Sequence, residues 1–155
     1  MAGTASPSPR GLRLFQLAGA LLLLFGVVHT VAVVKALIAG ESGDARVDRL
    51  AADARALTFA VGPFHSSAWG AIQILNASYA ILLLHVGVVN LLVARPAAAA
   101  GRLRRLTLVN LLFVAGLLAV ASAYQFPPPM LFSALIGLVL AASAWRQRVG
   151  LAGAA

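Results

Sequence analysis

The segment from residue 14 to residue 34 constrains this chain more than any other feature, because it is almost entirely apolar. Only Gln16, His29 and Thr30 interrupt it. An α-helix needs roughly 20 such residues to cross a hydrocarbon core about 30 Å thick. Three further apolar stretches follow, in a chain that is 61% hydrophobic and 10% charged. The sequence therefore predicts an all-α membrane protein, an up-down bundle of four transmembrane helices with an amphipathic outer loop segment.

The limits of the four spans follow from hydropathy and from prolines. Arg95 and Pro96 should end the second span. Pro127 should open the fourth, because the first turn of a helix does not need the N–H that proline lacks. The predicted spans are residues 13–38, 68–94, 104–125 and 128–146.

The two chain ends are predicted as tails on either side of a membrane domain at residues 12–146. Residues 1–11 mix Ser, Pro and Gly and should form a disordered cytoplasmic tail. Residues 147–155 are predicted as a cytoplasmic tail after the fourth span. A cleaved signal peptide is the alternative for the N-terminus, because two arginines precede the apolar run and Ile38-Ala39-Gly40 resembles a cleavage site. Cleavage would leave three spans.

The outer loop at residues 40–66 contains all four acidic residues of the chain. Apolar residues recur in it at three- and four-residue steps from Val47 to Val61. This spacing predicts a short amphipathic helix on the surface, ended by Gly62 and Pro63. We interpret this helix as a cover over the mouth of the bundle; a partner-binding helix is the alternative.

Arginine distribution predicts the topology. The connections on one side of the spans carry basic residues without acidic neighbours: Arg10, Arg13, Arg95, Arg102, Arg104, Arg105, Arg146 and Arg148. On the other side, the four acidic residues of the outer loop balance Lys35 and the three arginines of the loop, and the proline turn is uncharged. Cytoplasmic connections are enriched in Lys and Arg, so both termini should be cytoplasmic in a bacterial-type inner membrane. The net charge of +8 therefore indicates that the chain contacts the lipid bilayer and does not bind nucleic acid. The expected protein partners are the other subunits of a larger membrane complex or further copies of this chain.

Polar side chains within the spans mark the candidate site. At 1.5 Å per residue, His29 and Asn76 share a depth of about 9 Å below the outer surface. Unpaired polar groups are costly in hydrocarbon, so they should face inward and pair. The predicted outer cluster is His29, Gln73, Asn76, Tyr79 and Tyr124. It is either a small-ligand or proton site in which His29 titrates, or a set of interhelical hydrogen bonds that fix the packing.

Two further groups of residues bear on packing. His85, Asn90 and Asn110 fall toward the cytoplasmic third of the spans. Small residues at four-residue spacing predict close approach of spans three and four: Ala115, Ala119, Ala123, Ser133, Gly137 and Ala141.

Several chemistries are disfavoured by the residues that are absent. There is no Cys, which excludes disulfides and thiolate metal sites. No carboxylate occurs in any span, which argues against intramembrane metal hydrolysis and carboxylate-based antiport. Haem would need two imidazoles at one depth, and His29 and His85 differ by roughly 12 Å; His29 with His65 is the remaining arrangement. We predict no catalytic residue, no cofactor and no metal site.

The segment from Trp69 to Tyr79, WGAIQILNASY, resembles small bacterial four-helix integral membrane proteins of unknown function. In these a Trp opens helix two and an Asn-x-Ser-His/Tyr element follows. Gly26–Thr30 and the aromatic-proline turn at Phe126–Pro129 fit the same pattern, although Ile74 stands where Gly is usual. The resemblance covers most of residues 12–146 and implies the fold, not an activity.

The sequence thus predicts a non-enzymatic membrane protein, an accessory subunit or a small homo-oligomer of structural role. A carrier or ligand-binding protein that uses the outer cluster is the first alternative. An intramembrane enzyme or redox subunit is the second.

Overall fold

A computed structural model describes residues 9–38 and 42–152, and in them the chain is helical apart from one short hairpin. The elements are α1 (Pro9–Ile38), α2 (Ala45–Ala56), β1 (Thr58–Val61), β2 (Phe64–Ser67), α3 (Ala68–Ala99), α4 (Leu103–Ala123) and α5 (Pro127–Ala152). In this part of the chain, four helices (α1, α3, α4 and α5) are long and apolar enough to cross a membrane. The all-α, four-helix membrane fold is confirmed.

Both predicted tails are shorter than expected. α1 already begins at Pro9, so residues 9–11 are helical, while residues 1–8 lie outside the described residues. α5 continues to Ala152, past the predicted end of the fourth span at residue 146; residues 153–155 are not described. The reason at this end is packing, because Gln147 is buried and hydrogen-bonded within the protein.

The predicted stop at Arg95 and Pro96 is wrong, because α3 runs through Pro96 to Ala99. A proline removes one backbone hydrogen bond without necessarily ending the helix. The end comes at Gly101, whose φ of +66° forms a Schellman cap. The Arg102 N–H donates to the Ala97 carbonyl at 2.8 Å, and the Gly101 N–H donates to the Ala98 carbonyl at 3.0 Å.

The amphipathic helix of the outer loop is present as α2, but it ends at Ala56 instead of reaching Val61. Residues 58–61 pair antiparallel with residues 64–67, and Gly62 and Pro63 form the turn. Gly62 has φ +59°, which glycine adopts without strain and which suits a two-residue hairpin turn. The helical spacing predicted too long a helix, because the aromatic and β-branched residues in TFAV favour a strand.

The connection between α4 and α5 leaves few backbone donors unpaired. α4 ends in a second Schellman cap, in which the Phe126 N–H donates to the Ala121 carbonyl at 3.0 Å. Residues 127–129, the first three of α5, are prolines and have no N–H to satisfy. The Met130 N–H then makes the first helical bond, to the Phe126 carbonyl.

The chain divides into two compact units, which we describe separately. The first contains the described residues up to Phe25 and those from His85 onward; the second is Gly26–Leu84. The first unit packs α1, α3, α4 and α5 around a core in which the rings of Phe25 and Phe132 stack at 4.6 Å. Its other large buried apolar side chains are Phe15, Leu22, Leu103, Val114, Ile136 and Leu140.

Candidate functional site

Two glycines bring the backbones of α1 and α3 together. In the second unit, a Cβ added to Gly26 would lie 2.9 Å from the backbone nitrogen of Leu84. In the first unit, a Cβ added to Gly87 would lie 2.7 Å from the backbone nitrogen of Leu23. Each added Cβ would clash with backbone atoms of the facing helix, and rotation of a side chain cannot relieve such a clash. Close helix approach at small residues is a common way to associate helices in lipid.

Small residues at four-residue spacing predicted close approach of α4 and α5. These helices do pack together, but a Cβ on Gly137 would meet only the Val114 side chain at 3.7 Å, an ordinary contact. Ala119, Ala123 and Ala141 are exposed. The predicted packing of α4 against α5 is therefore confirmed, whereas the backbone contact between α1 and α3 at single glycines was not predicted.

In the second unit, the predicted outer cluster contains a direct contact between His29 on α1 and Tyr79 on α3. Their ring centroids are 4.9 Å apart and the planes meet at 86°, an edge-to-face arrangement. Gln73 and Asn76 precede Tyr79 at three-residue steps, and both are half-buried. Tyr124 is the C-cap of α4 in the first unit, with 81% of its surface exposed.

Two polar atoms of this cluster are buried without a hydrogen-bond partner in the described part of the chain. They are His29 Nε2 and Gln73 Oε1. Gln73 lies about 9 Å from Tyr79 along the helix axis, at 1.5 Å per residue. Buried polar groups normally have partners, so these two atoms mark positions where a small polar molecule would gain hydrogen bonds. They lie along a polar stripe that leads from the start of α3 toward His29.

The first unit joins Asn90 on α3 to Asn110 on α4. The Asn90 Nδ2 donates to the Asn110 Oδ1 at 2.6 Å, and the Asn110 Nδ2 donates to the Leu106 carbonyl at 2.9 Å. Both asparagines are buried. This pair fixes α3 against α4, which is the packing role that interhelical amide bonds have in membranes.

A groove of about 340 Å³ lies beside this pair. Its wall includes the exposed imidazole of His85, which was predicted to lie in the same third of the spans as the two asparagines. The other lining residues are Val86, Val89, Asn90, Val109, Asn110 and Phe113. The imidazole of His85 thus borders an otherwise mostly apolar groove on the lipid-facing surface of α3 and α4.

A second buried network links three helices of the first unit through Gln147. The Gln147 Nε2 donates to the Thr107 Oγ1 at 3.1 Å and to the Ser143 Oγ at 2.9 Å, and the Ser143 Oγ donates to the Gly11 carbonyl at 2.8 Å. This network was not predicted, because Gln147 follows the predicted end of the fourth span. Its members tie α5 to both α1 and α4, which is a structural role.

No group of three or more His, Cys, Asp or Glu side chains among the described residues could hold a metal ion. Comparison with known proteins adds no assignment: no family model, no curated protein and no solved structure matches this chain. The resemblance to small bacterial four-helix membrane proteins stays a hypothesis. Function must be argued from the grooves and polar side chains themselves.

Proposed function

We propose that this chain is an accessory or structural subunit of a larger membrane assembly, with no enzymatic role of its own. In this proposal it spans a bacterial-type inner membrane four times, with both termini in the cytoplasm. The arginine-rich connections support that orientation through the positive-inside rule. The subunit binds a neighbouring transmembrane helix in the groove between α3 and α4, beside His85.

The observation that carries the proposal is the exposed position of His85 near the middle of a long apolar helix. α3 has 32 residues. At 1.5 Å per residue, His85 lies about 26 Å from Ala68 and about 21 Å from Ala99. An imidazole that faces lipid at this depth is costly, and ionisable residues inside membranes usually face a protein partner or a water-filled cavity. A partner helix with a hydroxyl, amide or carboxyl group would satisfy it.

The shape of the groove fits such an occupant. Its valine walls and Phe113 offer apolar contact, while His85 adds one hydrogen-bonding group at the edge. The buried amides of Asn90 and Asn110 already bond to each other, which leaves the imidazole as the exposed polar partner. An interhelical hydrogen bond of this kind contributes about 0.6–2 kcal/mol in a membrane, enough to orient a helix that packs by shape.

Site-specific photo-crosslinking in intact membranes tests the proposal. A benzophenone amino acid at Val109, which lines the groove and is 65% exposed, is compared with one at Leu131, which is 71% exposed and outside the groove. We expect a discrete crosslinked protein at position 109 only, and its loss in the His85→Leu variant. Crosslinking to lipid alone at both positions, with a monomer by native mass measurement in mild detergent, would overturn the proposal. A crosslink to a second copy would identify a homo-oligomer.

A second candidate function is binding of a small polar ligand at the outer cluster. It is favoured by the unpartnered His29 Nε2 and Gln73 Oε1. A thermal-shift screen of small polar compounds in nanodiscs tests it, with His29→Ala compared with His85→Ala. Loss of a ligand-induced shift in the His29 variant alone would support a ligand site. An equal fall in the melting temperature without any ligand effect would favour the packing role of the cluster.

A further inference from the structure

Large apolar side chains are exposed outside the four spans, on α2 and on the hairpin. Leu50 is 69% exposed and Phe64 is 75% exposed, and Val47, Leu57 and Phe59 are exposed as well. α2 therefore does not bury its whole apolar face against the protein. Contiguous exposed apolar residues mark a surface that contacts lipid or another protein.

The apolar residues of α2 share one side of the helix. At 100° per residue, Val47, Leu50 and Ala54 lie within about 60° of one another. Ala51, at the edge of this sector, is buried. Arg49 lies on the opposite side, about 130° from the middle of this sector, and Asp53 lies about 90° from it; both are exposed. This separation is typical of a helix that lies in the plane of a membrane surface.

The hairpin, whose second strand contacts α2, carries further exposed apolar side chains. Phe59 pairs with Ser66, and Val61 with Phe64. Because cross-strand partners share a face and residues two apart along a strand do so too, Phe59 and Phe64 lie on the same face. An exposed aromatic pair on a short hairpin is suited to the interfacial region of a bilayer, where aromatic rings are enriched.

Contacts with the start of α3 fix the depth of α2 and the hairpin relative to the apolar spans. Trp69 is the second residue of α3, and the guanidinium carbon of Arg55 lies 4.9 Å from the centroid of its ring. The Ala68 N–H donates to the Leu57 carbonyl at 2.8 Å, so the end of α2 is hydrogen-bonded to the start of a span. Trp and Arg at such a position belong at the headgroup level.

We propose that α2 and the β1–β2 hairpin form an interfacial membrane anchor that inserts Leu50 and Phe64 into the boundary between headgroups and acyl chains. The occupant of the exposed apolar surface is the bilayer itself. Residues 42–67 contain three Asp and three Arg, so binding is driven by apolar burial and does not require anionic lipid. This anchor shares no residue with the His85 groove and does not depend on the proposed subunit role.

The absence of native Cys permits a direct test by single-cysteine labelling. Leu50→Cys and Phe64→Cys are labelled with an environment-sensitive fluorophore in phosphatidylcholine nanodiscs. Arg49→Cys, on the opposite side of α2, is the matched control. We expect lipids with a nitroxide near the top of the acyl chain to quench positions 50 and 64 at least twofold more than position 49. Aqueous iodide should show the reverse order.

Adding phosphatidylglycerol or raising the salt concentration should leave this pattern unchanged. Equal iodide quenching at positions 49 and 50 would overturn the proposal. So would protection of position 50 from both quenchers, since that result means that protein covers it. Far-UV circular dichroism and the thermal transition of each labelled variant establish that it is folded. A second labelled pair, Val47→Cys and Asp53→Cys, repeats the comparison if Leu50→Cys fails to fold.

Discussion

Substitution of Gly87 by alanine tests whether backbone contact between α1 and α3 holds the bundle together. The added Cβ would lie 2.7 Å from the Leu23 nitrogen and 2.9 Å from its Cα, whereas ordinary contacts begin near 3.4 Å. The two backbones must therefore separate by about 0.7 Å at this point. Overpacking of this kind costs about 1–3 kcal/mol, because a close-packed interface has no free volume to absorb it.

Gly116 on α4 is the matched control, because a Cβ there meets nothing within 4 Å. Both substitutions gain the higher helix propensity of alanine, up to about 1 kcal/mol. That gain cancels when Gly87→Ala is compared with Gly116→Ala. The difference between the two variants thus isolates the steric cost, and we expect Gly87→Ala to be less stable than Gly116→Ala by about 1–3 kcal/mol.

The assay is equilibrium unfolding in mixed micelles with increasing dodecyl sulfate, followed by circular dichroism and by the fluorescence of Trp69 and Trp145. A difference of 1.4 kcal/mol is tenfold in the unfolding constant. Equal stability of the two alanine variants would refute the close approach of α1 and α3. Gly26→Ala should behave like Gly87→Ala, because its Cβ would also meet backbone, at 2.9 Å.

Three further predictions concern single contacts. A double-mutant cycle with Asn90→Leu and Asn110→Leu should give a coupling energy of about 0.6–2 kcal/mol in the unfolding assay; additive effects would contradict the 2.6 Å bond. Gln125 has φ +50° at the cap of α4, so Gln125→Gly should stabilise by about 1 kcal/mol, unlike Gln125→Ala. The Ser42 N–H donates to Asp48 at 2.7 Å and lowers the pKa of Asp48 below 3.8. This bond should persist above pH 3.8 and be lost as the pH falls through the lowered pKa of Asp48. An NMR titration of the Ser42 amide would show this loss, and an inflection above pH 3.8 would contradict the prediction.

The four long helices were predictable because hydrocarbon imposes a strong constraint on length and polarity. The limits of these helices were less predictable. Pro96 suggested a stop, yet the cap at Gly101 decides where α3 ends. Gln147 suggested a polar tail, yet its amide bonds to Thr107 and Ser143. Local polarity cannot reveal the bond to Thr107, because it joins residues 40 positions apart in sequence.

The candidate site was predictable only in outline. Equal depth counted along ideal helices placed His29 level with Asn76, in a cluster that included Tyr79, and the structure brings His29 into contact with Tyr79. Asn76 and Tyr79 are one helical turn apart, and the start of a span is not fixed more precisely than one turn by hydropathy. His85 was predicted to lie near Asn90 and Asn110, and all three line one groove. Its exposure on the lipid-facing side could not be predicted from hydropathy.

The connection between α4 and α5 has a consequence for biosynthesis. Residues 124–129 contain no charged side chain, the capped end of α4 uses the Phe126 N–H, and three prolines offer no further donors. Moving this segment across hydrocarbon therefore exposes few unpaired polar groups to lipid. α4 and α5 are suited to leave the translocation machinery together as one helical hairpin. With both termini in the cytoplasm, as proposed, the charged loop before α3 is carried across as well, with three aspartates and three arginines in its described part.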